Sequence, residues 1–112
     1  MVNISSIQIP DLLNSPFVTQ IVQLNSQLYF FQFHWNIRHS RAYLSIYTKK
    51  DEELNYLVKN ICLIPSIVIS KYIKDLNWVG TLTFAPILNG LEEDYRQDNI
   101  STDFDIKYIT EG

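Results

Sequence analysis

The chain has 112 residues, 46% apolar and 13% aromatic, enough for one domain with its own core and too apolar for a disordered linker. Its net charge of −3 is unevenly spread: residues 1–91 hold seven Lys/Arg against five Asp/Glu, and residues 92–112 hold two against seven. That distribution excludes the basic footprint of a nucleic-acid binder, and the absence of any apolar run of about 18 residues excludes a helical membrane span.

Residues 1–16 contain Pro10 and Pro16 with Asp11, Asn14 and Ser15 around them, and read as an extended arm. The opening MVNISSIQIPDLL has no basic n-region and no long apolar core, so no signal peptide is expected and synthesis is cytoplasmic. Phe17 to Leu24 is rich in Val, Ile and Thr and reads as a strand, with Asn25-Ser26 as a hairpin break after it. From Leu28 to Arg38, Tyr29, Phe31, Phe33, Trp35 and Ile37 share one parity, while Gln32, His34, Asn36 and Arg38 take the other. This two-residue period marks a strand with one buried face. Leu28 and Phe30 interrupt it, which predicts cover on both faces at the start of that strand.

His39-Ser40 is the next break, and Arg41 to Thr48 alternates again, Ala42, Leu44 and Ile46 against Tyr43, Ser45 and Tyr47. The predicted core therefore holds Phe31, Phe33, Trp35, Leu44 and Ile46, with Ile37 and Ala42 also packing inward. Lys49 to Glu53 is a solvated turn. Leu54 to Leu63 reads as a strand without clean alternation, and Glu52 to Asn60 is equally compatible with a helical turn. Cys62, the only cysteine, excludes an internal disulfide and a CxxC site. It sits in the apolar run Ile61-Cys62-Leu63-Ile64, so a buried, inert thiol is expected.

Ile69, Tyr72, Ile73 and Leu76 form an apolar stripe at helical spacing, predicting a short helix over 69–76 with Ser66 or Ser70 as N-cap. Trp78 to Phe84 reads as a strand in which Gly80 marks a bulge or a close backbone approach. Residues 85–103 read as a polar, acidic loop, and Phe104 to Thr110 as a closing strand. The expectation is a mainly β domain over residues 17–112, an antiparallel barrel or sandwich of five to seven strands with one short helix.

The residues do not assemble a catalytic pattern. His34 and His39 are the only histidines, and no G-x-S-x-G, nucleophilic-cysteine context or Gly-rich phosphate loop is present. Glu92-Glu93-Asp94 lacks the spacing of a calcium loop and reads as a solvated acidic stretch. The stripe Tyr29, Phe31, Phe33, Trp35 has the chemistry of a base-stacking platform but lacks interleaved Lys and Arg, so a core face is favoured. Arg38 and Arg41 flank the hairpin break, free for a partner carboxylate or for stacking on Tyr43.

The strand ending in Trp35-Asn36, the short polar break, Arg41, then Tyr43-Leu44 and Tyr47 resembles the phage baseplate plug protein family. Phe17 to Leu24 is similar to that family's first strand, Leu63-Ile64-Pro65 and the following helix to its middle, and Gly80-Thr81-Leu82 and Phe104 to Tyr108 to its end. Between 85 and 103 the chain departs from the pattern, with Asp98-Asn99 where the family often carries Asp-Pro and Leu-Gly.

The resemblance implies a structural virion protein of a contractile tail, made in the host bacterial cytoplasm. It implies a site at the junction of tail tube and hub, with no catalysis and no cofactor. Implied partners are further copies in a three- or six-fold ring, the baseplate hub, tail tube or tube-initiator proteins, and the tape-measure protein. No specific nucleic-acid binding and no membrane contact are expected. The candidate interface is Arg38, Arg41, Tyr43 and Tyr47. Glu92, Glu93, Asp94 and Asp98 are candidates for facing the channel, where their charge would repel DNA phosphates; a plain solvated loop is the alternative. The competing function is a small β-barrel module that binds single-stranded nucleic acid or a peptide.

Overall fold

The two-residue alternation resolves into two packed sheets in a computed structural model that describes residues 2–75, 77–88 and 95–111. Among the described residues there are eight strands: β1 (Val2–Gln8), β2 (Phe17–Leu24), β3 (Gln27–Asn36), β4 (Arg41–Lys50), β5 (Glu53–Cys62), β6 (Ile67–Val68), β7 (Thr81–Pro86) and β8 (Phe104–Glu111). They form two antiparallel four-stranded sheets, ordered β2-β3-β4-β5 and β1-β8-β7-β6. Among the described residues no strand ladder joins the sheets, so the arrangement is a sandwich and not a closed barrel. The strand count exceeds the expected five to seven because β1 and the two-residue β6 add to the strands visible in the pattern.

The first sheet is a simple meander. Asn25 and Ser26 turn β2 into β3 with both φ angles positive (51° and 66°), the backbone twist that two-residue hairpins need. Between β3 and β4, Asn36 Oδ1 accepts the His39 N–H at 3.0 Å and Ser40 takes φ 51°. Ile37 lies in this turn and is 76% exposed, which corrects its assignment to the core: its parity is inward, but the strand has ended. β5 is a strand throughout. Its register against β4 jumps on either side of Ile46, and at Asn60 (φ 53°) the N–H donates to Ser45 Oγ at 2.9 Å instead of to the ladder. These bulges explain the irregular alternation in the sequence.

The opening segment, expected to lie outside the domain, is extended and pairs along its length with β8, from Val2↔Glu111 to Gln8↔Asp105. Ile7, Ile9 and Leu12 are in the core. Lys107 Nζ anchors the pairing, donating to Ser6 Oγ at 2.6 Å and to Asp105 Oδ2 at 2.7 Å.

The predicted helix over 69–76 contracts to a 3-10 turn, Ile69–Tyr72. Neither serine caps it: Val68 holds the N-cap position, Ser66 has φ 73° and donates its N–H to Phe84 O, and Ser70 Oγ accepts the Leu82 N–H. Ile69 is fully buried, Ile73 packs partly, Tyr72 is exposed, and Leu76 lies outside the described residues. The strand expected from Trp78 begins only at Thr81, because Gly80 takes φ 103° and lies under the Tyr108 ring. The stretch expected as loop contains the end of β7 and one helical turn, α1 (Ile100–Asp103), opened by the buried Asn99 and Ile100.

Phe31, Phe33, Trp35, Ala42, Leu44 and Ile46 from the first sheet form one buried cluster with Leu82, Phe84, Phe104, Ile106 and Tyr108 from the second. Tyr95 clamps the two sheets. Its ring meets Trp35 at 5.8 Å on one side, and Phe84 and Phe104 at 5.8 and 5.6 Å on the other. At the opposite end Trp78 bridges Tyr29 and Tyr108 in edge contacts.

Candidate assembly surface

Because one face of the β2-β3-β4-β5 sheet makes the core, the strand register fixes what the other face presents. In-register pairs place Ile21, Phe30, Tyr47 and Tyr56 in one row across all four strands. Four residues further along β3, Phe17, His34, Tyr43 and Cys62 form a second row. Thr19, Gln32 and Ser45 lie between the two.

Within the first row Phe30 and Tyr47 stack almost parallel, 5.1 Å between centroids at 3°, and Tyr47 meets Tyr56 at 5.2 Å. Lys49 Nζ lies over Phe30 at 5.7 Å and Lys59 Nζ over Tyr56 at 5.0 Å, the geometry of cation–π contacts. Ile21 is 63% exposed and Phe17 60%, and Leu28 and Leu54 extend the apolar surface on either side. In the second row Phe17 meets His34 at 5.8 Å, and His39 Nδ1 lies 2.9 Å from the Tyr43 hydroxyl. Partial desolvation, then the neighbouring Cys62 thiol, raise the pKa of Tyr43. Cys62 is half-exposed, which corrects the expectation of a buried thiol: it ends β5 on the outward parity.

The candidate interface residues do not form one cluster. Tyr43 and Tyr47 share the outer face, but Tyr47 is covered by Phe30 and Tyr56 and offers little free ring. Arg38 is exposed at the tip of the β3–β4 turn. Arg41 stacks on Tyr95 at 4.9 Å and not on Tyr43, and donates to Ser40 O. Asp98 is exposed and pairs with Arg96 at 2.9 Å, while Glu92, Glu93 and Asp94 lie outside the described residues.

Phe30, Ile21, Tyr56 and Lys59 escaped the sequence reading as surface residues, and Lys49, expected in a solvated turn, is exposed but belongs to β4, the turn itself being Asp51 and Glu52. The signal for them was the parity break at Leu28 and Phe30, which shows apolar residues on the strand's second face. Tyr95 escaped as well. Its hydroxyl accepts the Ala42 N–H at 2.8 Å, and burial, outweighing that bond, lifts its pKa far above the ordinary tyrosine range.

A second exposed feature lies where the edges of the two sheets meet. Among the described residues β1 and β2 each lack a neighbour on one side, and between them runs a groove of about 600 Å³ lined by Ser6, Gln8, Gln20 and Ile21. A single side chain spans it, with Gln20 Nε2 donating to Gln8 O at 2.9 Å. Among the described residues no three His, Cys, Asp or Glu side chains gather where a metal ion would need them. The surface thus offers apolar area, rings, two ammonium groups and open strand edges, which is the chemistry of protein contact.

A family model described as "Cyanophage baseplate Pam3 plug gp18" matches residues 4–111 of the chain. Among curated proteins and among solved structures nothing matches.

Proposed function

The chain belongs to the phage baseplate plug family, and from that premise we propose that it acts by assembly alone at the junction of tail tube and hub in a contractile tail, closing or lining the channel. Its place is the phage tail baseplate and its role is structural. The observation that carries the finer reading is the outer face of the β2-β3-β4-β5 sheet, where Ile21, Phe17, Leu28 and Leu54 remain exposed among two rows that each carry rings on three strands. Contiguous apolar surface of this kind marks a place that another protein covers.

Open sheet edges support the same reading. Among the described residues β1, β2 and β5 each keep one side unpaired, and cyclic symmetry satisfies such edges by pairing them between copies. A three- or six-fold ring, contacting the hub, tail tube or tube-initiator proteins and the end of the tape measure, accommodates these surfaces. The acidic segment with Glu92, Glu93, Asp94 and Asp98 would face the channel and keep passing DNA from adhering. No turnover and no cofactor belong to this role.

The rings and lysines of the outer face also suit a second reading, a module that stacks single-stranded nucleic acid. Titration with single-stranded DNA at low and moderate salt separates the two: steep loss of affinity with salt supports the module, and absence of binding at low salt removes it. A cryo-EM reconstruction of the tail tip tests the first reading. It should show density for this chain in a symmetric set around the channel beside the hub; density for the chain only at the tail periphery would refute the placement.

A further inference from the structure

We infer that the outer face of the β2-β3-β4-β5 sheet docks a neighbouring protein whose contact surface is apolar at its centre and carries carboxylates that meet Lys49 and Lys59. The inference rests on the assembly reading above and adds the chemistry of the partner.

Charge sorts the possible occupants. The outward positions on the four strands are Phe17, Thr19, Ile21 and Gln23; Leu28, Phe30, Gln32 and His34; Tyr43, Ser45, Tyr47 and Lys49; and Leu54, Tyr56 and Cys62, with Lys59 reaching over Tyr56. None is Asp or Glu, although the chain as a whole carries twelve acidic residues against nine Lys and Arg. The face thus carries two lysines and no carboxylate on a protein that is acidic as a whole, with Asp51 and Glu52 in the adjoining β4–β5 turn. Lys49 and Lys59 make no ion pair with any described residue. Each ammonium sits over a ring, and a carboxylate arriving from solvent can pair with it without lifting the lysine off the ring.

The same geometry argues against a nucleic acid as occupant. Stacking a base needs a free ring face. Phe30 is already stacked on Tyr47 and covered by Lys49, and Tyr56 meets Tyr47 and is covered by Lys59. Phe17 does present an open ring, 60% exposed, but the rest of the open apolar area, Ile21, Leu28 and Leu54, is aliphatic, which a protein surface covers and a nucleobase does not stack on. Burying those side chains supplies the affinity, and the lysines fix where the carboxylates of the partner must lie.

The test uses intact phage particles and the isolated full-length chain. Both are treated with an amine-acetylating reagent and, separately, with a zero-length carbodiimide that joins amines to carboxylates, and the products are read by mass spectrometry. Lys49 and Lys59 should acetylate about tenfold or more slowly in the particle than in the isolated chain, and carbodiimide should link them to Asp or Glu of a neighbouring protein, another copy of this chain included. Equal acetylation in both samples overturns the inference. So does protection without any carboxylate link, and so does protection that nuclease treatment removes. Absence of the chain from the particle would instead sink the baseplate placement, and this inference with it. A K49E/K59E variant supplies a second readout: it should melt with the parent and enter particles about tenfold or more poorly, while K49R/K59R enters normally. Normal entry of K49E/K59E contradicts the inference.

Discussion

Removing one oxygen atom, in Tyr95→Phe, tests how the two sheets are held together. Beyond the Tyr43↔Cys62 pair, Leu63 donates its N–H to Ala42 O at 2.9 Å, but the N–H of the buried Ala42 goes to a side chain and not to a ladder carbonyl. The Tyr95 hydroxyl takes that place at 2.8 Å. Phenylalanine keeps the ring contacts with Trp35, Phe84 and Phe104 and the Arg41 stack, so the substitution isolates the bond. A buried N–H left without an acceptor costs about 1–3 kcal/mol, a sizeable share of the roughly 5–15 kcal/mol that stabilises a domain of this size. Urea unfolding followed by tryptophan fluorescence should show the midpoint falling with its slope unchanged.

The pH dependence gives a second reading of the same site. Burial raises the Tyr95 pKa above its ordinary value of 10.0. Above that pH the unfolded chain releases the phenolic proton while the folded chain retains it, so stability is full below pH 10 and falls as pH rises toward the folded value. Tyr95→Phe should flatten this decline without abolishing it, since burial also raises Tyr29 and Tyr108. A variant as stable as the parent, with an unaltered alkaline slope, would refute the role assigned to this hydroxyl.

Three further substitutions probe separate parts of the structure. Trp35→Ala removes a buried indole and should cost about 3–5 kcal/mol, seen as a large fall in the urea midpoint by circular dichroism; an unchanged midpoint would count against its core position. Gly80→Ala would place a Cβ 2.6 Å from Tyr108 Cε1 on a backbone with φ 103°. It should destabilise by about 2–4 kcal/mol in thermal unfolding, and a neutral result would show that the Tyr108 ring yields freely. Arg41→Ala removes one cation–π contact and should lower stability by only about 0.5–1 kcal/mol, with the fold intact by circular dichroism; unfolding would show that the guanidinium holds more than the Tyr95 ring.

Alternation made β3, β4 and β8 legible, because each puts one parity in the core and turns the other outward. β5 was harder to read, since its bulges shift Val58, Asn60 and Ile61 out of a simple period. β1 was hidden for another reason. Its partner is at the far end of the chain, and Pro10 and Pro16 suggested an arm, yet Ser6 and Ile7 pair with Lys107 and Ile106. Helical spacing at Ile69, Tyr72 and Ile73 overstated a single 3-10 turn because the chain returns to an extended course at Ile73. Of the assembly surface, Tyr43 and Tyr47 were legible by parity. The row that joins Ile21, Phe30 and Tyr56 to Tyr47 depends on register, which sequence periodicity leaves open. Tyr95 carried no local signal at all, as its partners come from four other segments of the chain.

In the docking inferred above, the banding of the outer face would limit how a neighbour can slide. Two residues along a strand advance the surface by roughly 6.8 Å, so the ring rows through Phe30 and through His34 stand roughly 14 Å apart with Gln32 and Ser45 midway. A subunit displaced by half that interval would set its greasy groups on the Gln32 amide and leave the rings wet, and a full interval would engage one band and forfeit the other. Seating in such a docking would be stepped and not continuous, like a key whose teeth admit a single depth, and a particle built from such contacts would hold its angular alignment without any covalent link.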